Sequence, residues 1–278
     1  MIRKLKTLVL VAIFAIIGMY QSNAQTDFSI HVGYTYPQGN FGKSNMNKNK
    51  VAWNGDTDWA GAGSGLNAGV KFRFNVPSVK GLGIIATADF FYNGPNDDVK
   101  YWKEDQIADL EETYWVDEYE LEIPKYFNIP IMLGANYQYE IGDKLKLWGE
   151  FAIGINFGEI TNMSLSATGS MPIYDDYTGA YYGEIDCEYT GEAEFMSSGN
   201  SSFAYQLGAG VMLSDKISLG LHYYVLGKQR VQGYLHSYQE LDGRHIDESL
   251  YEETSSSEEI RGESINPTML TFRLGFHF

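Results

Sequence analysis

Residues 270–278 alternate strictly between apolar and polar side chains. The apolar phase holds Leu270, Phe272, Leu274, Phe276 and Phe278, and the polar phase holds Thr271, Arg273, Gly275 and His277. Successive side chains of a β-strand point to opposite faces, so this pattern predicts a strand with one apolar and one polar face. Such a strand folds only where its apolar face is removed from water.

The same alternation recurs along most of the chain. It is found in Phe28–Tyr36, Leu66–Phe74, Leu82–Tyr92, Phe127–Tyr139, Leu145–Phe157, Phe203–Leu213 and Ile217–Val225. Each segment is about 9–13 residues long, the length that a tilted strand needs to cross a lipid bilayer. The sequence therefore predicts eight strands.

The connections between these strands decide between a soluble sandwich and a membrane barrel. Short turns near Pro77-Ser78, Gly142-Asp143 and Ser214-Asp215 alternate with four long connections, which are Gly39–Gly65, Asn93–Lys125, Gly158–Ser202 and Gly227–Pro267. Transmembrane barrels combine short turns at one end with long loops at the other, whereas Greek-key sandwiches do not require this order. We therefore predict an all-β, antiparallel up-and-down transmembrane barrel of eight strands.

A barrel of ten strands is the alternative that this pattern leaves open. Two segments within the third long connection, Thr161–Thr168 and Glu184–Phe195, also alternate. They could add a pair of strands to the barrel or extend existing strands beyond the membrane as a raised hairpin.

The N-terminus has the pattern of a cleaved export signal. Arg3, Lys4 and Lys6 precede an apolar run from Leu8 to Ile17, and small residues follow at Ser22 and Ala24. The apolar run is shorter than the ~20 residues of a membrane-spanning helix. We predict a signal peptide over residues 1–24 and a barrel domain over residues 25–278.

These features together resemble the small porin-like outer-membrane barrels of the OmpA and OmpX type in Gram-negative bacteria. The resemblance lies in the export signal, the eight alternating strands and the terminal aromatic Phe278. It implies location in the cell outer membrane, contact with outer-membrane lipid, and a last strand that the barrel-assembly machinery reads through Phe272, Leu274, Phe276 and Phe278. It implies neither a cofactor nor an enzymatic activity.

Charged residues occupy the polar phase and should therefore face the lumen. An eight-stranded barrel is just wide enough to be filled by its own side chains, and an unpaired buried charge is costly. We predict a paired lumen network that contains Lys71, Arg73, Asp89, Glu150, His222 and Arg273. A narrow ion path through the same residues is the alternative.

Two pairs of residues that contain histidine suggest other roles, a metal site and a catalytic site. His31 and His277 lie near each other on the first and last strands, but no third metal ligand accompanies them. His236-Ser237 is the only adjacent pair that suggests nucleophilic catalysis, and adjacency does not define a catalytic triad. We therefore predict that His31 and His277 are hydrogen-bonded lumen residues, with no metal site, and we predict no catalytic residues.

The long connections are strongly acidic and rich in aromatic residues. They hold 30 of the 36 Asp and Glu residues of a chain whose net charge is −16. Such a surface repels nucleic acid and favours cations, so divalent cations or a surface ligand are the expected partners. Aromatic anchors for binding are expected at Trp53, Trp59, Trp102 and Trp115.

Two functions fit these observations. The protein is either a structural and surface-interaction barrel that acts through its external loops, or a narrow porin-like channel for small solutes or ions. A lumen filled by paired charges favours the first function, and an open water path favours the second.

The predicted topology places both termini and all short turns on the periplasmic side. Protease sites introduced near Asp105 and Tyr182 should therefore be cleaved when protease is added to intact cells, because both positions lie in external connections. A site introduced at Asp143, in a periplasmic turn, serves as the control and should be spared. Protection of both long connections would contradict this orientation.

Overall fold

The computed structural model describes residues 26–44, 58–102, 104, 108, 115–142, 144–174, 179–195, 201–244 and 251–278. The predicted signal peptide and Trp53 lie outside these residues. Among the described residues, no helix is long and apolar enough to cross a membrane.

The described chain is dominated by β-strands. In chain order they are β1 (Thr26–Pro37), β2 (Ala62–Asn75), β3 (Leu82–Pro95), β4 (Trp115–Glu122), β5 (Tyr126–Ile141), β6 (Leu145–Ile160), β7 (Met163–Tyr174), β8 (Tyr181–Phe195), β9 (Ser201–Leu213), β10 (Ile217–Val225), β11 (Gln229–Asp242), β12 (Tyr251–Ile265) and β13 (Thr268–His277). A short 3-10 helix follows β1 at Gly39–Phe41. Residues 97–102 are also helical.

Eight strands form a closed antiparallel barrel in the order β1-β13-β10-β9-β6-β5-β3-β2. The first and last barrel strands close the ring, with Ile30 opposite Phe276 and Val32 opposite Leu274. Closure gives every barrel strand a hydrogen-bonded neighbour on both sides, as hydrocarbon requires. The predicted eight-stranded fold is confirmed, and the ten-stranded alternative is wrong.

The turn between β9 and β10 shows how the short connections are made. Ser214 and Asp215 both adopt positive φ angles, of 50° and 57°. Two consecutive residues in this region match the right-handed twist of an antiparallel hairpin, which explains how the three residues between Leu213 and Ile217 connect these strands. We call this side of the barrel the short-turn end.

The outward face of the barrel is apolar. Large side chains there remain strongly exposed in the isolated chain, for example Leu66 (63%), Leu133 (64%) and Phe203 (64%). A continuous apolar exterior is unfavourable in water and is the expected surface of a protein surrounded by lipid. Tyr34 and Tyr36 lie near one end of this surface, and Tyr137 and Tyr139 near the other, as in the aromatic girdles of membrane barrels.

The four residues of the expected assembly signal lie on this outward face of the terminal segment. Phe272 and Phe276 are exposed, and Leu274 between them is half-buried. Phe278 follows the end of β13 and packs beside Phe28, where its N–H donates a hydrogen bond to the Phe28 carbonyl at 2.8 Å. The structure thus shows a lipid-facing aromatic terminus, and its reading by the assembly machinery stays a prediction.

Five further strands form a second sheet in the order β12-β11-β8-β7-β4. Along the chain these strands directly precede or follow β13, β10, β9, β6 and β5, which are neighbours in the barrel in the same order. The second sheet therefore continues five of the eight barrel strands beyond the barrel, and we call it the raised sheet. Much of the last three long connections is strand, so their description as loops is incomplete.

A hydrophobic cluster joins the raised sheet to the barrel mouth. It combines buried residues of the first two long connections with residues from both sheets. Its members include Phe41, Ala60, Val99, Tyr126, Leu226, Met269, Ala193, Phe195, Val231 and Ile265. The raised sheet thus buries one of its faces near the barrel and leaves its opposite face exposed.

Candidate functional site

The barrel lumen contains two buried carboxylates, and the first is Asp89. Its Oδ1 atom lies 2.6 Å from Arg273 Nη2 and 2.5 Å from His31 Nε2, and its Oδ2 accepts a hydrogen bond from the Tyr224 hydroxyl at 3.2 Å. The Arg273 guanidinium also donates to Asn67 Oδ1 at 2.8 Å. This carboxylate is thereby paired with a permanent cation inside the barrel.

The second buried carboxylate, Glu150, has its own cation. Its Oε2 atom accepts a hydrogen bond from Lys71 Nζ at 2.7 Å, and its Oε1 lies 3.0 Å from His222 Nε2. Amide groups of Asn136 and Gln206 add longer hydrogen bonds at 3.3 and 3.4 Å. The two carboxylate clusters together reach side chains on all eight barrel strands.

Arg73 belongs to the predicted network, but it forms its ion pair with Asp27 and not with Asp89 or Glu150. Its Nη1 atom lies 3.0 Å from Asp27 Oδ2, and its Nε donates to Asn136 Oδ1 at 3.0 Å. Asp27 lies at the short-turn end, beside a cavity of about 660 Å³ whose lining includes Lys146 and Asp215. Arg73 thus sits at the boundary between this cavity and the buried network.

Aromatic rings and glycines shape the space around the network. Lys71 Nζ lies 5.0 Å from the centre of the Trp148 ring, and Arg273 Cζ lies 5.0 Å from that of Tyr224. A Cβ atom at Gly69 would overlap Asp89 Oδ1, and one at Gly208 would overlap the His222 ring. Glycine at these inward positions provides the room that the charged side chains need.

The network separates two different environments. Towards the short-turn end, the space beside Lys71, Arg73 and Trp148 narrows to about 10 Å³, roughly the volume one water needs. Towards the raised sheet, the rings of Phe91 and Tyr224 pack edge to face at 4.9 Å within the hydrophobic cluster. The described side chains therefore fill the lumen with a charged layer beneath an apolar layer.

The raised sheet presents a different chemistry on its exposed face. Residues that alternate with the buried ones form this surface, which we call the outer face. Its carboxylates are Glu118, Glu120, Glu122, Glu184, Asp186, Glu188, Glu192, Glu194, Glu240, Asp242, Glu253 and Glu259. Three arginines, Arg230, Arg244 and Arg261, accompany them. Serine and threonine occupy most of the remaining outer-face positions on β7 and β12.

Like charges lie directly opposite each other on this outer face. Glu240 on β11 is paired with Glu188 on β8 and with Glu253 on β12. Asp242 likewise lies opposite Asp186 in the strand register. Directly opposed like charges destabilise a sheet, so these carboxylates on the outer face do not contribute to the stability of the fold.

The carboxylates of the outer face raise the pKa of two neighbouring tyrosines. The Glu240 carboxylate accepts a hydrogen bond from the Tyr238 phenol at 2.6 Å and raises the pKa of Tyr238. Glu253 raises the pKa of Tyr251 in the same way, through a hydrogen bond of 3.1 Å. Both phenols therefore stay neutral donors at physiological pH.

The tryptophans expected as binding anchors take different positions. Trp115 is 51% exposed on the outer face, and its ring lies 6.1 Å from that of Tyr181. Trp102 packs against the hydrophobic cluster, and Trp59 is half-buried with Lys43 Nζ 5.9 Å from its ring centre. The structure thus brings Trp115 to an exposed aromatic group and places Trp59 and Trp102 elsewhere.

The histidines of the two alternative sites have separate surroundings. His31 lies on Asp89, whereas His277 Nε2 lies 2.9 Å from Ser218 Oγ. His236 and Ser237 point to opposite faces of β11, because neighbouring side chains of a strand alternate. Within the described ranges, no group of three or more His, Cys, Asp or Glu side chains could hold a metal ion.

Closure, an apolar exterior and a polar interior occur together in this chain. Only closed barrels and helices satisfy the backbone within hydrocarbon, and the strands here close. The chain is a closed β-barrel of the transmembrane type. Its eight-stranded closed fold is the one that the sequence resemblance to OmpA and OmpX barrels implies.

No protein-family model and no curated protein sequence matches this barrel. Among solved structures it is similar to the Neisserial surface protein A, NspA, at 10% identity and a TM-score of 0.34, covering 92% of this chain and 100% of that one. A major outer membrane protein from Thermus thermophilus matches at 13% identity and a TM-score of 0.33, with 91% and 100% covered. The attachment invasion locus protein Ail of Yersinia pestis matches at 12% identity and a TM-score of 0.31, with 91% and 99% covered.

Tyr224 and Asp27 belong to the lumen network but were not predicted as its members. Tyr224 contacts Asp89, and Asp27 pairs with Arg73, whereas His31, which also contacts Asp89, was predicted as a hydrogen-bonded lumen residue. His31 and Asp27 both lie in the polar phase of the first strand, next to inward positions of the neighbouring β2. The sequence alone was therefore enough to place both residues on the inward face. Their hydrogen-bond and ion-pair partners could be found only from the strand register of the closed barrel.

Replacement of Glu150 by alanine should destabilise the barrel strongly. The variant leaves the Lys71 ammonium, 14% exposed, without its fully buried carboxylate partner. Removal of one member of a buried ion pair typically costs about 3–5 kcal/mol in free energy of unfolding. Urea-induced unfolding in phospholipid vesicles, followed by tryptophan fluorescence, measures this change.

Glu252→Ala serves as the matched control, because Glu252 is an exposed glutamate of the raised sheet. We expect this variant to unfold close to the parent. Equal losses for Glu150→Ala and Glu252→Ala would contradict a paired, buried lumen network.

Proposed function

We propose that the protein acts as a surface-interaction barrel. In this function the barrel is a closed membrane anchor, and the raised sheet is the surface that meets a ligand or partner. The observation that carries the proposal is the continuation of five neighbouring barrel strands into one ordered sheet. A rigid scaffold that presents an exposed surface is the usual setting of recognition.

The filled lumen supports the same proposal from the membrane side. Each buried carboxylate is held by a basic side chain, Asp89 by Arg273 and Glu150 by Lys71. Hydrogen bonds from amides and rings then bind these pairs to several strands, so their separation costs several kcal/mol. An ion path through this layer would have to separate these ion pairs each time it opened, at the same cost in free energy.

A narrow channel is the second candidate, and one observation favours it. The cavity of about 660 Å³ at the short-turn end is large enough for hydrated ions and is lined by both signs of charge. It would serve as a vestibule if the network above it opened. In that function, the Lys71–Glu150 pair would be the gate.

Conductance of the purified protein in planar lipid bilayers separates the two functions. We expect the parent to show no stepwise conductance, because the charged and apolar layers fill its lumen. We expect Glu150→Ala to raise conductance from this baseline, because it loosens the pair that fills the middle of the barrel. Glu252→Ala, outside the lumen, should leave the baseline unchanged.

The opposite pattern would favour the channel. A parent that conducts freely, together with a Glu150→Ala variant that changes ion selectivity but hardly changes stability, would contradict the proposed function. The lumen would then be a water-filled pore.

A further inference from the structure

Three aromatic side chains form an exposed group far from the barrel, on the outer face of the raised sheet. The Tyr181 ring lies 6.1 Å from both Trp115 and Tyr174, and the three side chains are 51–53% exposed. They come from β4, β7 and β8, so their arrangement depends on the ordered sheet. Exposed Trp and Tyr on a rigid scaffold are the residue types that dominate binding energy in interfaces.

Carboxylates share the outer face with this aromatic group. Glu184 accepts a hydrogen bond from Ser170 at 3.2 Å, and Ser170 lies opposite Trp115 in the strand register. Further from the rings, the opposed row of Glu188, Glu240 and Glu253 crosses three strands. A cationic partner would relieve the repulsion in that row and would be attracted to the aromatic faces.

Arg244 shows how this surface receives a cation. Its guanidinium is held in two-point contact by Asp242, with Nε 2.9 Å from Oδ1 and Nη2 2.5 Å from Oδ2. Its Cζ atom lies 4.3 Å from the centre of the Tyr251 ring. A carboxylate and an aromatic ring together thus bind an arginine of the chain itself, and the same two groups occur at Trp115, Tyr174, Tyr181 and Glu184.

We propose that the outer face of the raised sheet docks a basic polypeptide segment, rich in arginine or lysine. Cationic side chains of that segment pack on the group of Trp115, Tyr174 and Tyr181, and others pair with Glu188, Glu240 and Glu253. The proposal rests on the proposed function, because it names the class of partner for the raised sheet. Five strands at ~4.8 Å spacing give a width of ~19 Å, which an extended segment of about six residues spans.

Charge and geometry select this partner over others. A second copy of the chain, with a net charge of −16, would be repelled by the same face. Anionic polymers and nucleic acid would be repelled likewise. The described carboxylates form no group of three suited to a metal ion, whereas a row across several strands suits an extended polycation.

The test uses the full-length protein folded in phospholipid vesicles and a fluorescein-labelled nona-arginine peptide at physiological salt. Fluorescence anisotropy measures binding to the parent and to the variant Trp115→Ala/Tyr181→Ala, which keeps the charge of the protein. Loss of two cation–π contacts should weaken binding about tenfold or more. Tyr101→Ala, a 65% exposed tyrosine outside the raised sheet, is the matched control and should bind as the parent does.

A second pair of variants separates a specific face from general charge attraction. Glu240→Gln/Glu253→Gln removes two charges from the outer face, and Glu252→Gln/Glu258→Gln removes two from the opposite face. We expect the first to weaken peptide binding by about fivefold to twentyfold, and the second by less than about twofold. Tyr174→Ala, at the end of β7, provides an independent aromatic variant if the double replacement disturbs β4.

Three results would overturn the proposal. These are equal losses for both glutamine pairs, unchanged binding after aromatic replacement in folded variants, and displacement of the peptide by millimolar Ca²⁺ but not by Na⁺ of equal ionic strength. The last result would assign the face to divalent cations. Bilayer conductance is measured independently of peptide binding. A parent that neither conducts nor binds the peptide contradicts this inference alone. A parent that conducts contradicts the proposed function.

Discussion

Every backbone amide within a membrane must find its hydrogen-bond partner inside the protein, because lipid tails can neither donate nor accept hydrogen bonds. This requirement closes the eight strands, with β13 between β1 and β10. Closure in turn sends alternate side chains outward to lipid and inward to a narrow lumen. The charges that point inward then have to be paired, and Asp89 and Glu150 each hold one cation.

In the proposed function, the raised sheet meets the partner and the filled lumen does not. Within the barrel, Lys71, Trp148 and Glu150 pack so closely that the adjoining cavity holds about one water. Outside it, β4, β7, β8, β11 and β12 continue the barrel strands and keep their order. The barrel thereby fixes the positions of an exposed surface whose opposed carboxylates weaken the sheet itself. Such a loss of stability is common at functional sites and accords with the proposed function.

Period-two alternation allowed the barrel to be predicted because lipid and lumen impose opposite polarities on the two faces of each strand. Which cation pairs with which lumen carboxylate could not be predicted, since Arg273 and Asp89 are 184 residues apart and meet only through closure. Alternation indicated the β7–β8 hairpin of the raised sheet, as an extension of barrel strands beyond the membrane. The rest of this sheet was not predicted, for a different reason. Its edge strand β12 carries charged, serine and threonine side chains on both faces, so no apolar phase marks it as a strand. Trp59 and Trp102 resembled Trp115 in the sequence, and only tertiary packing separates them.

A double-mutant cycle tests most directly whether buried charge pairs hold the lumen closed. Lys71–Glu150 and Lys80–Glu140 have nearly equal separations, 2.7 and 2.8 Å, but the first pair is buried and the second is exposed. Single and double replacements by methionine for lysine and glutamine for glutamate, with unfolding by urea, give both coupling energies. We predict a coupling of about 2 kcal/mol or more for Lys71–Glu150 and none measurable for Lys80–Glu140. Equal couplings for the two pairs would contradict a closed, charge-paired lumen.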